Sequence, residues 1–586
     1  MRQWMVAAKK ADFYAIAEKF HVDPVVARII RNREVIGEKN IRIYLGGNLS
    51  DLSDPHQMKD MDRLVEILAQ KIRKQVHIRI IGDYDVDGVT SSHLFLTALR
   101  RVGAKVDVVI PHRIQDGYGL SLHLLQQAKE DGVDTILTCD NGIAAIDEIA
   151  WAKAQKMTVL VTDHHAVPFE EHEGRRTEKK SLADAVVNPH QQDCGYPYKE
   201  LCGAGVAWNV IRVLYENYDM DKREAEDLLD FVAMATVCDV MSLTGENRIL
   251  VKEGLKRIRH TKNIGLQALM QACNVQPENI SAYHFGYVLG PCVNATGRLD
   301  TARHALRLFE TGQETEAEEI ARDLVDLNQE RKELTLQGVE MAKKLCEEGG
   351  YENDPILVLF LPDVHESIAG LIAGRIREMY NRPVFVLTRG EEGVKGSGRS
   401  TENYSMYENM CGCAELFTKF GGHPMAAGVS LPEENVEKFR RKINENCPLT
   451  VEEVCPDIHI DMAMPVGYAS TELVHQFALL EPFGKDNPSP LFADRNLSIS
   501  RMWVIGKNRN VLRMSVLSEY GQPVPVIFFG DVETLFAYFT EKFGQEEVEN
   551  ALHGRKNRIL FFMVYTAKID FYQGNENLQL EMKYYR

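Results

Sequence analysis

Short β-branched apolar runs begin at Val76 and recur with helical stretches between them: HIRIIGD, KVDVVI, DTILTCD, MTVLVTD and DAVVNP, separated by segments such as SSHLFLTALRRVGA and AIDEIAWAKAQK. This alternation predicts a parallel sheet flanked by helices. Ahead of it, residues 1–75 read as amphipathic helices with a loop from Gly46 to Pro55, a packing or substrate-approach surface with no nameable chemistry. Behind it, residues 203 to about 345 read as mostly helical and end in the charged run ETEAEEIARDLVDLNQERKELTLQGVEMAKKLCEE, a spacer helix between lobes. A second, smaller α/β pattern starts at Ile356, passes through a helix at Ser367 to Met379 and the strand PVFVLT, and ends near Cys447. The last part, about 455–586, is β-rich with one helix near Val532 to Phe543, and predicts a small barrel of the OB type. The expected class is therefore α/β multidomain: an N-terminal helical segment (1–75), a parallel-sheet domain (76–260), a helical connector (261–350), a smaller α/β domain (351–450) and a C-terminal β-barrel (451–586).

Composition narrows the class of protein. At 586 residues the chain exceeds a single hydrophobic core, and its 45% apolar and 26% charged content is ordinary for globular domains. No stretch approaches the roughly 18 apolar residues of a membrane span, and Lys9, Lys10 and Asp12 interrupt the start before a signal core develops, so the expectation is a cytoplasmic protein with no membrane partner. The 11 cysteines lack paired metal or redox spacing, only Cys411 and Cys413 being close, and read as packed thiols. A net charge of −17 is the wrong sign for a broad basic face on duplex DNA. Nucleic acid would need a local groove, helped by bound cations.

Three acidic sites hold the same place relative to the predicted sheet: Asp83, Asp85 and Asp87 follow HIRII, Asp140 ends DTILTC, and Asp163 with His164 and His165 ends MTVLV. In open α/β sheets the C-terminal strand edge is where ligands bind, so these residues converge. Clustered aspartates repel, and stay ionised only when a cation neutralises them. Oxygen ligands with one or two imidazoles suit Mn²⁺ first and Mg²⁺ next, while histidine leaves zinc or cobalt open. Gly88 and Gly142 are expected to let the backbone turn tightly after the ligand loops. Asp239, in ATVCDVMSL, is a further acid in an apolar context that needs a partner, which the metal site supplies. Singly, DYDVDG reads as a turn or a helix cap, CDNG as an Asx turn and paired histidines as loop residues; together, in chain order, they favour metal.

DYDVDG, CDNG, DHH and CDVMSL resemble, in order and spacing, the motifs of the DHH phosphoesterase superfamily, and specifically the RecJ family of single-strand-specific exonucleases. PHRIQDGYGL, NATGR, GSGRS, GGHPMAAG and LEPFGKDNPSPLF extend the likeness over about residues 76–586. The resemblance implies a DHH domain, a connecting helix, a DHHA1 domain and an OB-fold domain, with 5′→3′ removal of mononucleotides from single-stranded DNA. It implies two divalent cations held by Asp83, Asp85, Asp87, Asp140, His164 and Asp239, with Asp140 as the bridge. His165 would face the scissile phosphate, and Asp163 would orient the histidines. DNA repair and recombination, with a helicase and a single-strand-binding protein as partners, follow from kinship alone. The chain departs from the family in DVHESIAGLIAGRI, where Val364 and Ser367 replace a tryptophan and a glycine around His365, and in CDVMSL, where Cys238 and Ser242 replace alanine and proline.

The chemistry expected is two-metal hydrolysis. Ser91 and Cys139 lie near the motifs without a nucleophile elbow or Cys/His pairing, which argues against a covalent intermediate. GSGRS is expected as a flexible glycine-rich phosphate cradle, and GGHPMAAG to bring amides near an oxyanion through Gly421 and Gly422. Arg113, Ser397 and Arg399 resemble the family's pocket for a 5′ phosphate, and Asn294, Arg298 and His423 its contacts to the backbone near the scissile bond. Tyr118 is a stacking candidate. Arg501, Trp503, Lys507, Arg509 and Arg513 interleave an aromatic with bases along a barrel hairpin. Two lobes closing over one strand would suffice as a monomer. The competing readings are a DHH phosphodiesterase acting on short oligonucleotides or cyclic dinucleotides, and an inactive DNA-binding scaffold.

Overall fold

The strand His77–Ile81 (β1) is an interior strand of the first sheet, its apolar residues buried on both faces, as a parallel sheet covered by helices requires. With Lys105–Val109 (β2), Thr135–Cys139 (β3), Thr158–Thr162 (β4) and Ala185–Val187 (β5) it forms a five-stranded sheet in the order β2-β1-β3-β4-β5, every pairing parallel. The structure, a computed structural model, describes residues 3–113, 116–172, 175–390, 393–506, 509–572 and 574–586. Helix α1 (Val86–Arg101) follows β1 and is almost wholly buried. Helices α2 (Gly203–Asn217) and α3 (Leu229–Cys238) pack on it, apolar nearly all round as buried helices are.

Helices α4 (Ile264–Ala272) and α5 (Gly290–Leu299) come next, followed by the 35-residue α6 (Glu314–Glu348), the expected charged connector. A second sheet is built from β6 (Leu357–Phe360), β7 (Val384–Gly390), β8 (Gly393–Arg399), β9 (Lys419–His423) and β10 (Ala426–Leu431), in the order β9-β10-β8-β7-β6. Only β6 and β7 run parallel, and α7 (Ala369–Tyr380) is the crossover that makes this possible. All these elements belong to one compact unit, Leu52–Ser242 with Glu246–Pro456.

The second unit combines Gln3–Asp51, Leu243–Gly245 and Asp457–Arg586. Strands β11 (Phe492–Ile505), β12 (Val511–Leu517), β13 (Pro523–Phe529), β14 (Leu560–Tyr572) and β15 (Asn575–Tyr585) pair as β11-β12-β13-β15-β14, and β14 returns to β11, closing a barrel. The expected helix is present as α8 (Val532–Phe543), with α9 (Gln545–Leu552) directly after it. Trp4–Val6, expected in a helical segment, is instead a strand paired in parallel with Ile458–Ile460. Too short to sustain a helix before Lys9, it satisfies its backbone groups on a neighbouring ladder. The proposed aromatic and basic hairpin is β11–β12, with Trp503 opposite Arg513 and the Arg501 guanidinium 5.8 Å from the Trp503 ring centroid; Lys507 lies outside the described residues. Among the described residues no helix is long and apolar enough to cross a membrane.

Candidate metal centre and phosphate pocket

The order β2-β1-β3-β4-β5 reverses between β1 and β3, and a crevice opens at such a switch point outside the carboxyl ends of the strands. Asp83 follows β1, Asp140 follows β3 and Asp163 follows β4, so the acids meet at that edge. Asn141 ties two of these ends together, its amide donating to Ile81 O at 3.0 Å and Cys139 O at 2.9 Å. Asp85 is the N-cap of α1, accepting from Gly88 N at 3.0 Å, so the helix-cap reading of DYDVDG and its place in the cluster both hold. Asp87, one turn on, accepts from Gly203 N at 2.5 Å and Ala204 N at 2.7 Å, so its carboxylate also closes the N-terminus of α2. Asp239 is the C-cap of α3.

The turn expectation for Gly88 is corrected: the residue sits within α1, and a Cβ there would lie 2.5 Å from the backbone of Asp83. It is required for close packing rather than for a turn. Gly142 does take φ 107°, as expected of a tight corner. Asp140 itself adopts φ 63°, a left-handed conformation that costs free energy in a non-glycine residue and is tolerated where the surroundings over-determine it.

These placements bring the ligands together. His164 Nε2 lies 3.1 Å from Asp140 Oδ1, 3.6 Å from Asp239 Oδ2 and 3.7 Å from Asp87 Oδ2. Three overlapping groups have ligand atoms within 4.8 Å of one another: Asp83, Asp85 and Asp140; Asp87, His164 and Asp239; Asp140, His164 and His165. Asp140 belongs to two of them. Burial, then the neighbouring carboxylates, push Asp83 and Asp140 well above the ordinary carboxylate range, and Asp85 is raised by burial and by Asp87. Burial lowers His164, keeping the imidazole neutral, the form that coordinates metal. Among the described residues, Asp83 Oδ2, Asp140 Oδ1 and His164 Nε2 are buried with no hydrogen bond, the last two lying 3.1 Å apart. An apolar interior gives such atoms no compensation; a cation placed among them relieves both the repulsion and the unmet valence, so the residues present fit divalent metal.

Asp163 stands apart chemically. Its Oδ1 accepts from the His164 and His165 amides at 2.7 and 3.0 Å and pairs with His165 Nδ1 at 2.8 Å, and its Oδ2 accepts from Ile143 N at 2.8 Å. Burial opposes its charge, yet the hydrogen bond and charge of His165 and the Ile143 amide lower it, so it stays ionised. Burial likewise opposes charge on His165, but Asp163, Asp239 and Asp87 push that imidazole up to about 9. Without metal, the carboxylates thus favour the protonated form of this half-exposed ring. Tyr118, offered as a stacking residue, also has a polar role: its hydroxyl donates to Asp140 O at 2.9 Å and lies 3.0 Å from His165 Nε2.

A cavity of about 500 Å³ lies between the two sheets of this unit, lined by Arg113, Tyr118, Ser397 and Gly421 together with Tyr84, Glu366 and Lys395, which sequence reasoning missed. Lys395 is two residues before Ser397 on β8, and that period-two spacing was the available signal. Arg113 covers the Tyr84 ring at 4.7 Å. Arg298 donates to Ser367 O at 2.6 Å, and Ser367, the departure from the family pattern, also holds His365 Nδ1 through its hydroxyl at 2.7 Å. Arg399 donates to Gly398 O at 2.8 Å. Burial, then Arg113, Arg331 and Arg399, push Arg298 down to about 9, and burial and Arg113 lower Arg399.

GSGRS is not the flexible cradle expected. Gly396–Arg399 belong to β8, paired with β7 on one side and β10 on the other. Side chains at Gly396 and Gly398 would collide with Leu387 and Met406, so the glycines are packing residues while Lys395 and Ser397 alternate toward the cavity. GGHPMAAG is likewise the β9–β10 hairpin, with His423 opposite Ala426 and β9 on the sheet edge. Gly422 is in that strand, and His423 Nδ1 accepts from Met425 N at 3.3 Å. Asn294 Oδ1 accepts from Val86 N at 3.2 Å, pinning the start of α1. Gly203 is a further omission: a Cβ there would lie 2.6 Å from Asp140 Cβ.

A parallel sheet gathering aspartates and a histidine pair at its switch point, joined by a long helix to a second α/β layer, defines a DHH-type protein. Three family models match along the chain: DHH family, N-terminal domain, over 77–236; DHHA1 domain over 353–447; and RecJ OB domain over 460–584. The chain is 32% identical over 582 residues to the single-stranded-DNA-specific exonuclease RecJ of Haemophilus influenzae, covering 96% of each. It belongs to the RecJ family. It is 33% identical over 512 residues to the protein of the same name from Bacillus subtilis, covering 87% of this chain and 63% of that longer relative. The crystal structure of RecJ in complex with Mn²⁺ from Thermus thermophilus superposes with a TM-score of 0.81 at 25% identity, covering 100% of this chain and 79% of the other.

Proposed function

We propose that this chain is a metal-dependent exonuclease that removes mononucleotides from the 5′ end of single-stranded DNA. The observation that carries the reading is the buried cluster of Asp83, Asp85, Asp87, Asp140, His164 and Asp239, with three polar atoms that no protein group satisfies. Mn²⁺ or Mg²⁺ ions would be held there by these residues, Asp140 belonging to two of the candidate groups, and would supply Lewis-acid neutralisation of phosphate charge and activation of water. His165, its Nδ1 fixed by Asp163, holds a proton toward a phosphate oxygen, and Tyr118 limits the ring's swing. Arg113, Ser397, Lys395 and Arg399 receive a terminal phosphate, while Arg298 and His423 hold the backbone nearer the cluster. The single-strand choice and the 5′ end are supported by the family. One chain supplies every residue of the cluster, which supports a monomer, and 11 unpaired thiols suit a reducing cytoplasm. Roles in repair and recombination, and helicase and single-strand-binding partners, are supported by kinship.

Purified protein with Mn²⁺ and single strands carrying a 5′ label should release labelled mononucleotides at once, whereas a 3′ label should appear only at the end of digestion. Equal activity in chelator would refute the metal reading, and an unchanged rate on a blocked 5′ terminus would refute the end preference. Strands of about 50 nucleotides should be preferred to those of about five; the reverse would favour the short-oligonucleotide phosphodiesterase.

A further inference from the structure

We propose that Cys273 and Cys292 form a peroxide-oxidisable dithiol, a modification site whose disulfide displaces the helix that supports the active centre. The two sulfurs lie 3.7 Å apart, brought together from the C-cap of α4 and the first turn of α5. Asn328, on α6, donates its amide to the Cys292 sulfur at 3.3 Å, and Val288 O lies 3.3 Å from the same sulfur. The hydrogen bond from Cys273 outweighs burial and, with that from Asn328 and the charges of Lys332 and Arg331, holds the Cys292 thiol below its ordinary value, while the same bond raises Cys273, so Cys292 is the thiol of the pair that ionises first. Elsewhere in this unit burial raises the thiols of Cys139, Cys202 and Cys238 and makes them poor nucleophiles. Cys292 is buried, and Cys273, whose sulfur lies beside it, is partly exposed.

The chemistry balances with hydrogen peroxide as oxidant. The Cys292 thiolate attacks one peroxide oxygen, forming the sulfenic acid and releasing hydroxide, which takes up the proton lost by the thiol and leaves as water. Cys273 sulfur then attacks the Cys292 sulfur; the S–O bond breaks, the S–S bond forms, and the second oxygen leaves as water with the Cys273 proton. Two thiols are oxidised by two electrons and one peroxide is reduced to two waters.

Closing the sulfurs to the roughly 2.0 Å of a disulfide draws α4 and α5 together in an interior with little slack. The helix moved is the one bearing Asn294, which pins the start of α1, and Arg298, which bonds Ser367 O. Along its length Gly297 packs against Tyr84, a side chain there meeting Tyr84 O at 2.4 Å. The Asp85 and Asp87 segment is thereby shifted against the rest of the cluster, and the rate falls.

The test uses the full chain freed of reductant, exposed briefly to hydrogen peroxide, quenched with catalase, blocked with N-ethylmaleimide and mapped by mass spectrometry. The expected result is one peptide pair joined through Cys273 and Cys292, lighter by two hydrogens and separated by dithiothreitol. Cys411→Ser, at an exposed thiol, keeps the linkage; Cys273→Ser and Cys292→Ser abolish it. Recovery of both cysteines as separate maleimide adducts, under peroxide that oxidises Cys411, would overturn the proposal. The rate effect rests on the nuclease reading: oxidised protein should digest single strands slower by on the order of 10-fold or more, recovering with dithiothreitol, while Cys273→Ser resists peroxide. A complete linkage with an unchanged rate would overturn the coupling to the centre. The mass readout needs no nuclease activity, so failure of that reading leaves the linkage measurable.

Discussion

Two clusters of like charge face each other within one unit of this protein, and they solve the same problem differently. At the ends of β1, β3 and β4, carboxylates crowd until burial and mutual repulsion push Asp83 and Asp140 well above the ordinary range. Beside the neighbouring pocket, which Arg113 lines, burial and the charges of Arg113, Arg331 and Arg399 push Arg298 down to about 9. A carboxylate has two escapes, taking up a proton or binding a cation. A guanidinium has no useful protonation escape at neutral pH, so its crowding is relieved only by an anion. In the proposed function, metal on one side and phosphate on the other would complete each other's deficits, and a nucleic-acid end reaching both would satisfy the whole.

The comparison breaks most sharply at Asp140. Asp140→Asn should lower the single-strand exonuclease rate by on the order of 10³-fold, since one residue serves two ligand groups. It should leave the chelator-treated protein at least as stable to heat, because it removes a repelling charge. Wild type should gain about 2.7 kcal/mol of stability at Mn²⁺ 100 times its Kd, and the variant much less; an equal gain in calorimetry would show that the ions bind elsewhere.

On the basic side, Arg399→Gln should raise KM for 5′-phosphorylated strands roughly 10- to 100-fold, the magnitude of a lost charged hydrogen bond. Strands ending in a 5′ hydroxyl should show almost no change, and an equal loss on both would mean that Arg399 holds the domain rather than the phosphate.

A buried base outside both clusters provides the control. His93, on α1 against Phe231 and Phe309, is pushed down to about 3 by burial and by Arg100. The unfolded chain takes up this proton near pH 6.5 and the folded chain only near 3, so stability is full above 6.5 and declines as pH falls through that window. At pH 5 the deficit is about 2 kcal/mol, and His93→Leu should remove it, as urea melts at pH 7 and 5 would show.

The smallest effect is that of salt. With Arg113, Arg298, Lys395 and Arg399 as the phosphate contacts, the slope of log affinity against log salt should be about −2 to −3. A slope near −10 would mean a broad basic face and would undo the two-cluster picture.

Much of this site is legible in the chain because strand ends are marked by local pattern. HIRII, TILTC and TVLVT announce their strands, and Asp83, Asp140, Asp163, His164 and His165 follow at once, so the topology rule for parallel sheets places them together without coordinates. Asp87 was legible as a member of the cluster, but not its two bonds to the amides of α2, whose partners lie 116 and 117 residues away. GSGRS misled for a related reason: glycines read as freedom when their neighbours are unknown, and as tight packing once Leu387 and Met406 are in place.

The sequence by itself determined the strand and helix order, the charge pattern and the edge at which the acids gather, because those depend on short-range periodicity and a general rule of handed crossovers. Tertiary structure alone decided which carboxylate atoms stay unpartnered, that Asp140 stands in a left-handed turn beside Gly203, and that Cys273 meets Cys292. Those facts depend on distances of a few ångströms between segments far apart in the chain, set by the close packing of whole layers rather than by any local preference.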